Sequence, residues 1–243
     1  MNVGLVAPVF QRSPDLALRV AQLAEESGID GVFSYDHLFP MNSPGRPALA
    51  AIPVLAAMAM RTARVRLGTL VSRVTVLPLP VLVDALVTLD ELSGHRAIAG
   101  LGTGDRLTEA ENRAYGMDFP NVAARLELLI EAARGLRQRG VETWIGGRSR
   151  AVREVAAAEA DAWNSWAGPT EELAAFAAAN RPGGAGHQVL ATWGGPPPAD
   201  ANLEAHLVSL AGAGVAWAIY GPAPDIDWTS FVAKLADAAK AVR

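Results

Sequence analysis

Asp36-His37 follows the apolar run Gly31–Tyr35. A histidine there can take or give a proton near neutral pH. The alternative is a helix-entry aspartate beside a surface histidine, but the place at the end of a buried run favours chemistry. Gly102-Thr103-Gly104-Asp105 ends another run. Glycine lacks a Cβ, so a flat ring or a phosphate could lie against that backbone. A tight turn is the plainer reading, with Asp105 as either proton donor or helix cap. Gly146-Gly147-Arg148-Ser149 opens a helical segment straight after a third run. Free N–H groups, the helix dipole and Arg148 suit a phosphate there. An ordinary turn capped by Ser149 fits the pattern equally well. Glu109 and Glu111 read as a solvated first turn.

Other chemistry is poorly supplied. The chain has no cysteine, so it has neither disulfides nor a thiolate nucleophile. His95 precedes a run, and His187 and His206 fall in or beside loops and helices, so all three read as structural. No His/Asp/Glu spacing suggests a metal, and no G-x-S-x-G occurs. Only Lys234 and Lys240 are present, neither at the end of a run, which leaves no Schiff-base lysine. A net charge of −4 gives no basic stripe for nucleic acid. The longest apolar stretches are broken by Pro, Arg or Asp, short of a membrane span. With no leader visible at Met1-Asn2-Val3-Gly4, a cytoplasmic protein is expected.

Eight short apolar runs must position these loops: Val3–Ala7, Gly31–Tyr35, Val65–Val71, Ala97–Gly102, Glu142–Ile145, Ala162–Ser165, Gln188–Trp193 and Val215–Tyr220. Near-continuous apolar character is what parallel strands buried on both faces require. Amphipathic segments alternate with them. The first is capped by Ser13 and ended by Gly28. The others are Ala48–Thr62, Leu79–Leu92, Val122–Arg139, Ala151–Glu159, Glu171–Ala179, Ala201–Ala213 and Thr229–Val242. Eight such pairs in 243 residues predict an α/β fold, a single-domain (β/α)8 TIM barrel over residues 1–243. A doubly wound sheet would usually carry a glycine-rich first turn, and Pro8-Val9-Phe10-Gln11 is not one. In a barrel, every loop named above meets on one rim. Arg73, Asn164, Ser165, Trp166, Thr192, Trp193 and Tyr220 would join them there.

The segments Gly31–Phe39, Arg66–Val71, Leu89–Arg96, Gly100–Asp105, Ala114–Gly116, Trp144–Gly147 and Ala160–Asn164 occur in one order. Together they resemble the luciferase-like monooxygenases, and among them the F420-dependent oxidoreductases. That resemblance implies a barrel binding the deazaflavin F420, or FMN as the alternative. It implies catalytic roles for His37 and Asp36 and a carboxylate role for Asp105. It implies a bulge at Leu70-Val71-Ser72, often with a non-prolyl cis peptide, behind the ring. It places a phosphate at Gly146, Gly147, Arg148 and Ser149. By its place at the strand end Arg73 could reach the same anion or a longer acidic tail, and the backbone of Gly102, Thr103 and Gly104 could lie against the cofactor. The chain departs from the pattern twice. Met41 lies near where relatives have a tryptophan, and Leu136–Gly140 runs almost directly into Val141–Trp144 where they carry an insertion, which predicts a wider, wetter mouth or a lid borrowed from a partner. The expected activity is hydride transfer between F420 and a small organic substrate. An FMN-dependent monooxygenase and a non-catalytic flavin or deazaflavin binder are the alternatives. Helices near Ala48–Thr62 and Leu79–Leu92 are apolar on more than one face, so a homodimer is expected.

Overall fold

The computed structural model describes residues 1–41, 43–180, 188–199 and 202–243. His187 therefore lies outside the described residues. The strands are β1 (Asn2–Val6), β2 (Gly31–Ser34), β3 (Arg66–Thr69), β4 (Ser72–Arg73), β5 (Ala97–Gly102), β6 (Thr143–Gly146), β7 (Ala162–Trp166), β8 (Leu190–Gly195) and β9 (Trp217–Tyr220). All pairings are parallel, in the order β3-β2-β1-β9-β8-β7-β6-β5-β4. A β3–β5 pairing closes the sheet into a barrel. Among the described residues the count is nine because the third run, Val65–Val71, is interrupted at Leu70–Val71, where the peptide is cis, as the resemblance implied for the bulge Leu70-Val71-Ser72. The chain thus forms eight staves, a (β/α)8 barrel.

The helices are α1 (Asp15–Glu26), α2 (Ala51–Ala59), α3 (Leu79–Ser93), α4 (Glu109–Ala114), α5 (Val122–Gln138), α6 (Arg150–Glu159), α7 (Thr170–Ala179), α8 (Leu203–Gly212) and α9 (Trp228–Ala239). The second is shorter than the expected Ala48–Thr62. Pro14, not Ser13, stands at the N-cap of α1, and the Ser13 hydroxyl accepts from the Asp15 N–H at 3.2 Å. Between α5 and β6 only residues 139–142 intervene, so the direct connection read from the sequence is real.

The two-residue period of each strand separates two cores. Outward residues such as Val32, Leu67, Leu101, Ile145 and Trp163 pack beneath the helices. Inward residues Val6, Phe33, Leu70, Ile98, Trp144, Ala162, Trp217 and Ile219 fill the barrel. Three of them form an aromatic plug, with ring centroids of Phe33, Trp144 and Trp217 5.6–5.8 Å apart. Each such ring buries about 150–250 Å². At about 25 cal/mol per Å² that is roughly 4–6 kcal/mol each, an upper value because unfolded chains already bury some surface. Gly68 makes the room: a Cβ there would meet Phe33 at 2.5 Å. The plug closes the barrel below its mouth, so the next inward residues along each strand become the floor of a cup.

Candidate active site

Continuing the same alternation puts Tyr35, Leu70, Gly102, Gly146, Asn164 and Trp166 at the mouth. They line a cavity of about 580 Å³ at the C-terminal ends of the strands, within the usual range for small-molecule sites. Val71, Arg73, Thr103, Gly104, Asp105, Gly147, Asp36 and His37 also line it. So do Val9, Phe10, Met41, Leu107, Pro222, Pro224 and Trp228.

Val71 forms a raised part of the floor. A Cβ on Gly102 would lie 2.6 Å from Val71 Cγ2, and one on Gly146 would lie 2.7 Å from Cγ1. Only glycine at both positions lets that side chain settle. One wall is aromatic. Phe10 stacks on Tyr35 at 5.9 Å, and Trp166 meets Tyr35 edge-on at 5.5 Å. Met41, Leu107 and Trp166 leave much apolar surface exposed at the rim (54%, 65% and 38%).

A connected polar network adjoins this wall, with the His37 ring 6.1 Å from Tyr35 and 6.2 Å from Phe10. His37 Nδ1 lies 2.7 Å from Glu111 Oε1. The Leu38 N–H donates to Glu111 Oε2 at 2.7 Å, and Arg73 Nη2 donates to the same oxygen at 2.9 Å. Arg73 Nη1 donates to Thr108 O and Asn112 Oδ1, and Nη2 also reaches Asp36 O at 3.3 Å. Asn112 in turn donates to Thr75 and to Asp118 O. Three mouth loops and α4 are thereby tied together. Burial pushes the Glu111 carboxyl up, but His37, Leu38 and Arg73 together hold it below the usual carboxylate range. Burial also dominates at Asp36 and raises its carboxyl above the ordinary range, against the pull of Ser72, Arg73 and His37.

Several expectations need correction. Glu111 is not a solvated residue: it is 1% exposed and sits at the centre of the network. The sequence around it lacks the apolar stripe that announces a buried helix, and its partners lie 38 and 74 positions away. One signal existed. An arginine at the end of a buried strand needs a carboxylate, and Arg73 had to find one in a mouth loop. Arg73 does not reach outward for an anion, since both its terminal nitrogens are engaged within the protein. Arg148 is exposed and leans on Glu172 at 3.4 Å, and neither it nor Ser149 lines the cavity. The Ser149 hydroxyl caps α6 by accepting from Val152 N–H. Asp105 lines the cavity, yet its carboxylate accepts from the Leu107 and Thr108 N–H groups, the capping alternative. Ser72 is fully buried beside the bulge. Trp193 and Tyr220 point outward, because their strand parity is odd relative to Thr192 and Ile219. Tyr220 Oη meets His206 Nδ1 at 2.8 Å beneath α8.

Among the described residues no helix is long and apolar enough to cross a membrane, and no cluster of His, Asp or Glu could hold a metal.

Comparison with known proteins agrees with this architecture. The luciferase-like monooxygenase family profile matches residues 1–144. An F420-dependent glucose-6-phosphate dehydrogenase of Kineococcus radiotolerans is 37% identical over 139 residues, 57% of this chain and 40% of the relative. One of Microbacterium testaceum is 35% identical over 149 residues, 61% of this chain and 42% of the relative. The chain thus matches about two fifths of the length of these relatives. Among solved structures, an F420-dependent secondary alcohol dehydrogenase held with an F420–acetone adduct superimposes with a TM-score of 0.80 at 16% identity, covering 100% of this chain and 99% of the other. The tetrahydromethanopterin reductase of Methanopyrus kandleri gives 0.72 at 13%, covering 97% of each. At such low identity these likenesses speak for the fold, while the profile covers more than half of the sequence. The chain belongs to the luciferase-like monooxygenase family.

Proposed function

We propose that the protein is an oxidoreductase that transfers a hydride between F420 and a small organic substrate. The observation that carries this reading is the cup itself: an apolar floor of Val71 seated on Gly102 and Gly146, beside a histidine that a buried carboxylate holds in place. The donor set fits a planar cofactor. Val71 over Gly102 and Gly146 offers a flat apolar face, and α6 begins at Arg150, after Gly147-Arg148-Ser149, so that its N-terminus, capped by Ser149 at Val152 N–H, suits a phosphate near the glycines. F420 would supply the hydride chemistry, and the protein would supply binding, orientation and proton handling.

In this reading Nε2 of His37 takes the proton from, or returns it to, the substrate oxygen. The wall of Phe10, Tyr35 and Trp166 confines the substrate and excludes water from one side. Asp36, with its raised carboxyl, lines the same cavity as a second proton-bearing group. The curated relatives favour F420 over FMN. We further infer that residues 1–243 act as one domain in the cytoplasm, and that α2 and α3 form a homodimer face. His37→Ala is the direct test. It should lower kcat by about 100-fold or more, with the melting temperature and F420 affinity little changed. Unchanged turnover would assign His37 to structure.

A further inference from the structure

We propose that Glu111 is a positioning residue that fixes the tautomer of His37 and aims its Nε2 into the cavity. The inference rests on the reading of His37 as the proton-handling group.

Glu111 grips His37 twice. Oε1 meets the ring at Nδ1, and Oε2 accepts the N–H of Leu38, the next residue in the chain. The ring and its backbone therefore cannot turn independently. Arg73 on Oε2 supplies the opposite charge that a carboxylate 1% exposed requires. Arg73 is itself fixed by Thr108, at the N-cap of the helix that bears Glu111, and by Asn112 within it, so the bracket is held from both ends.

The chemistry follows from the donor inventory. With two donors already on Oε2, Glu111 is held in its ionised, acceptor-only form, in keeping with its lowered titration. An acceptor facing Nδ1 requires a proton on Nδ1. Neutral His37 must then carry its lone pair on Nε2. His37 lines the cavity, 22% of its side chain exposed, and Glu111 stands behind it. The free nitrogen is thus the one offered to the substrate. A buried carboxylate orienting an imidazole from behind lets it act as base without a search over tautomers, and stabilises the imidazolium once the proton arrives.

Nitrogen NMR of the histidine-labelled protein, without cofactor and at alkaline pH, tests the first link. The signals of the four histidines can be assigned with His37→Ala. The wild-type spectrum should show His37 protonated on Nδ1 and bare on Nε2. In Glu111→Gln the amide cannot accept from Leu38, Arg73 and His37 with a single oxygen, so the population should move toward the Nε2–H form. A wild-type His37 bare on Nδ1 would overturn the proposal without any variant having to fold. The second link is kinetic. Glu111→Gln should lower kcat about 10- to 100-fold while F420 binding, read by its fluorescence, changes less than about 3-fold. The double variant with His37→Ala should be no slower than His37→Ala alone, because the two residues act as one unit. Independent, multiplying losses would overturn the proposal. Failure to bind F420 would sink the functional reading instead and leave the tautomer result standing.

Discussion

Val71 occupies the space that a side chain on Gly146 would need: a Cβ there would come within 2.7 Å of Val71 Cγ1. The contact joins two strand ends that lie far apart in sequence, and it sets the height of the cavity floor. Gly146→Ala should therefore push Val71 upward. Overpacking of this kind costs about 1–3 kcal/mol, and F420 affinity should fall by about 10-fold or more. Val71→Ala in the same chain should restore part of both losses, as expected for residues in contact. Thermal melts and a fluorescence titration read the two effects. Equal affinity for wild type and Gly146→Ala would mean that the floor does not touch the cofactor.

The carboxylates of Glu111 and Asp36 predict opposite pH dependences. Glu111 titrates lower when folded than when unfolded. Its contribution to stability is therefore present above the usual carboxylate range and disappears as the pH falls through the folded value. Asp36 titrates higher when folded. Its contribution is present at low pH and is lost as the pH rises through the folded value. Urea melts from pH 3 to pH 8 should show that Glu111→Gln destabilises less in acid than at neutrality. Asp36→Asn should remove a decline on the alkaline side, becoming relatively more stable there. Parallel curves for wild type and variants would contradict both assignments.

Most of the fold was legible in the sequence. A parallel strand buried on both faces has to be apolar along its length, and eight such runs with amphipathic segments between them leave little choice of architecture. The loops carrying His37, Gly104 and Gly147 accordingly fell together. The break at Leu70–Val71 lies inside a continuous apolar run and leaves no mark on its composition, so only the resemblance to the family announced it, and the cis peptide there bears that expectation out. One feature was not legible. Helix α4 has six residues, with Glu109, Glu111 and Arg113 among them, and reads as a solvated turn. The burial of its Glu111 and Asn112 goes with their contacts to Arg73 and His37, which only the closed barrel delivers. For the same reason Arg73 looked free for an anion until the structure showed what it holds.

Helices α2 and α3 leave apolar residues facing outward. Met60 is 74% exposed, and Val81 and Leu92 are each 52% exposed. Pro53, Met60, Val81 and Leu92 lie on the outer sides of these neighbouring helices, where a barrel needs polar residues. Sedimentation at micromolar concentration should give a dimer. Val81→Glu combined with Leu92→Glu should shift it to monomer while the fold persists. A monomeric wild type would contradict this.

The central claim is that the cup holds F420, and relative affinity tests it most directly. Titrating purified protein with F420 and separately with FMN, each followed by its own fluorescence, gives two dissociation constants under one set of conditions. The account predicts tighter binding of F420, at least about 10-fold, and weakening of that binding by Gly146→Ala. Tighter binding of FMN would contradict it and move the protein to the flavin-dependent side of its family.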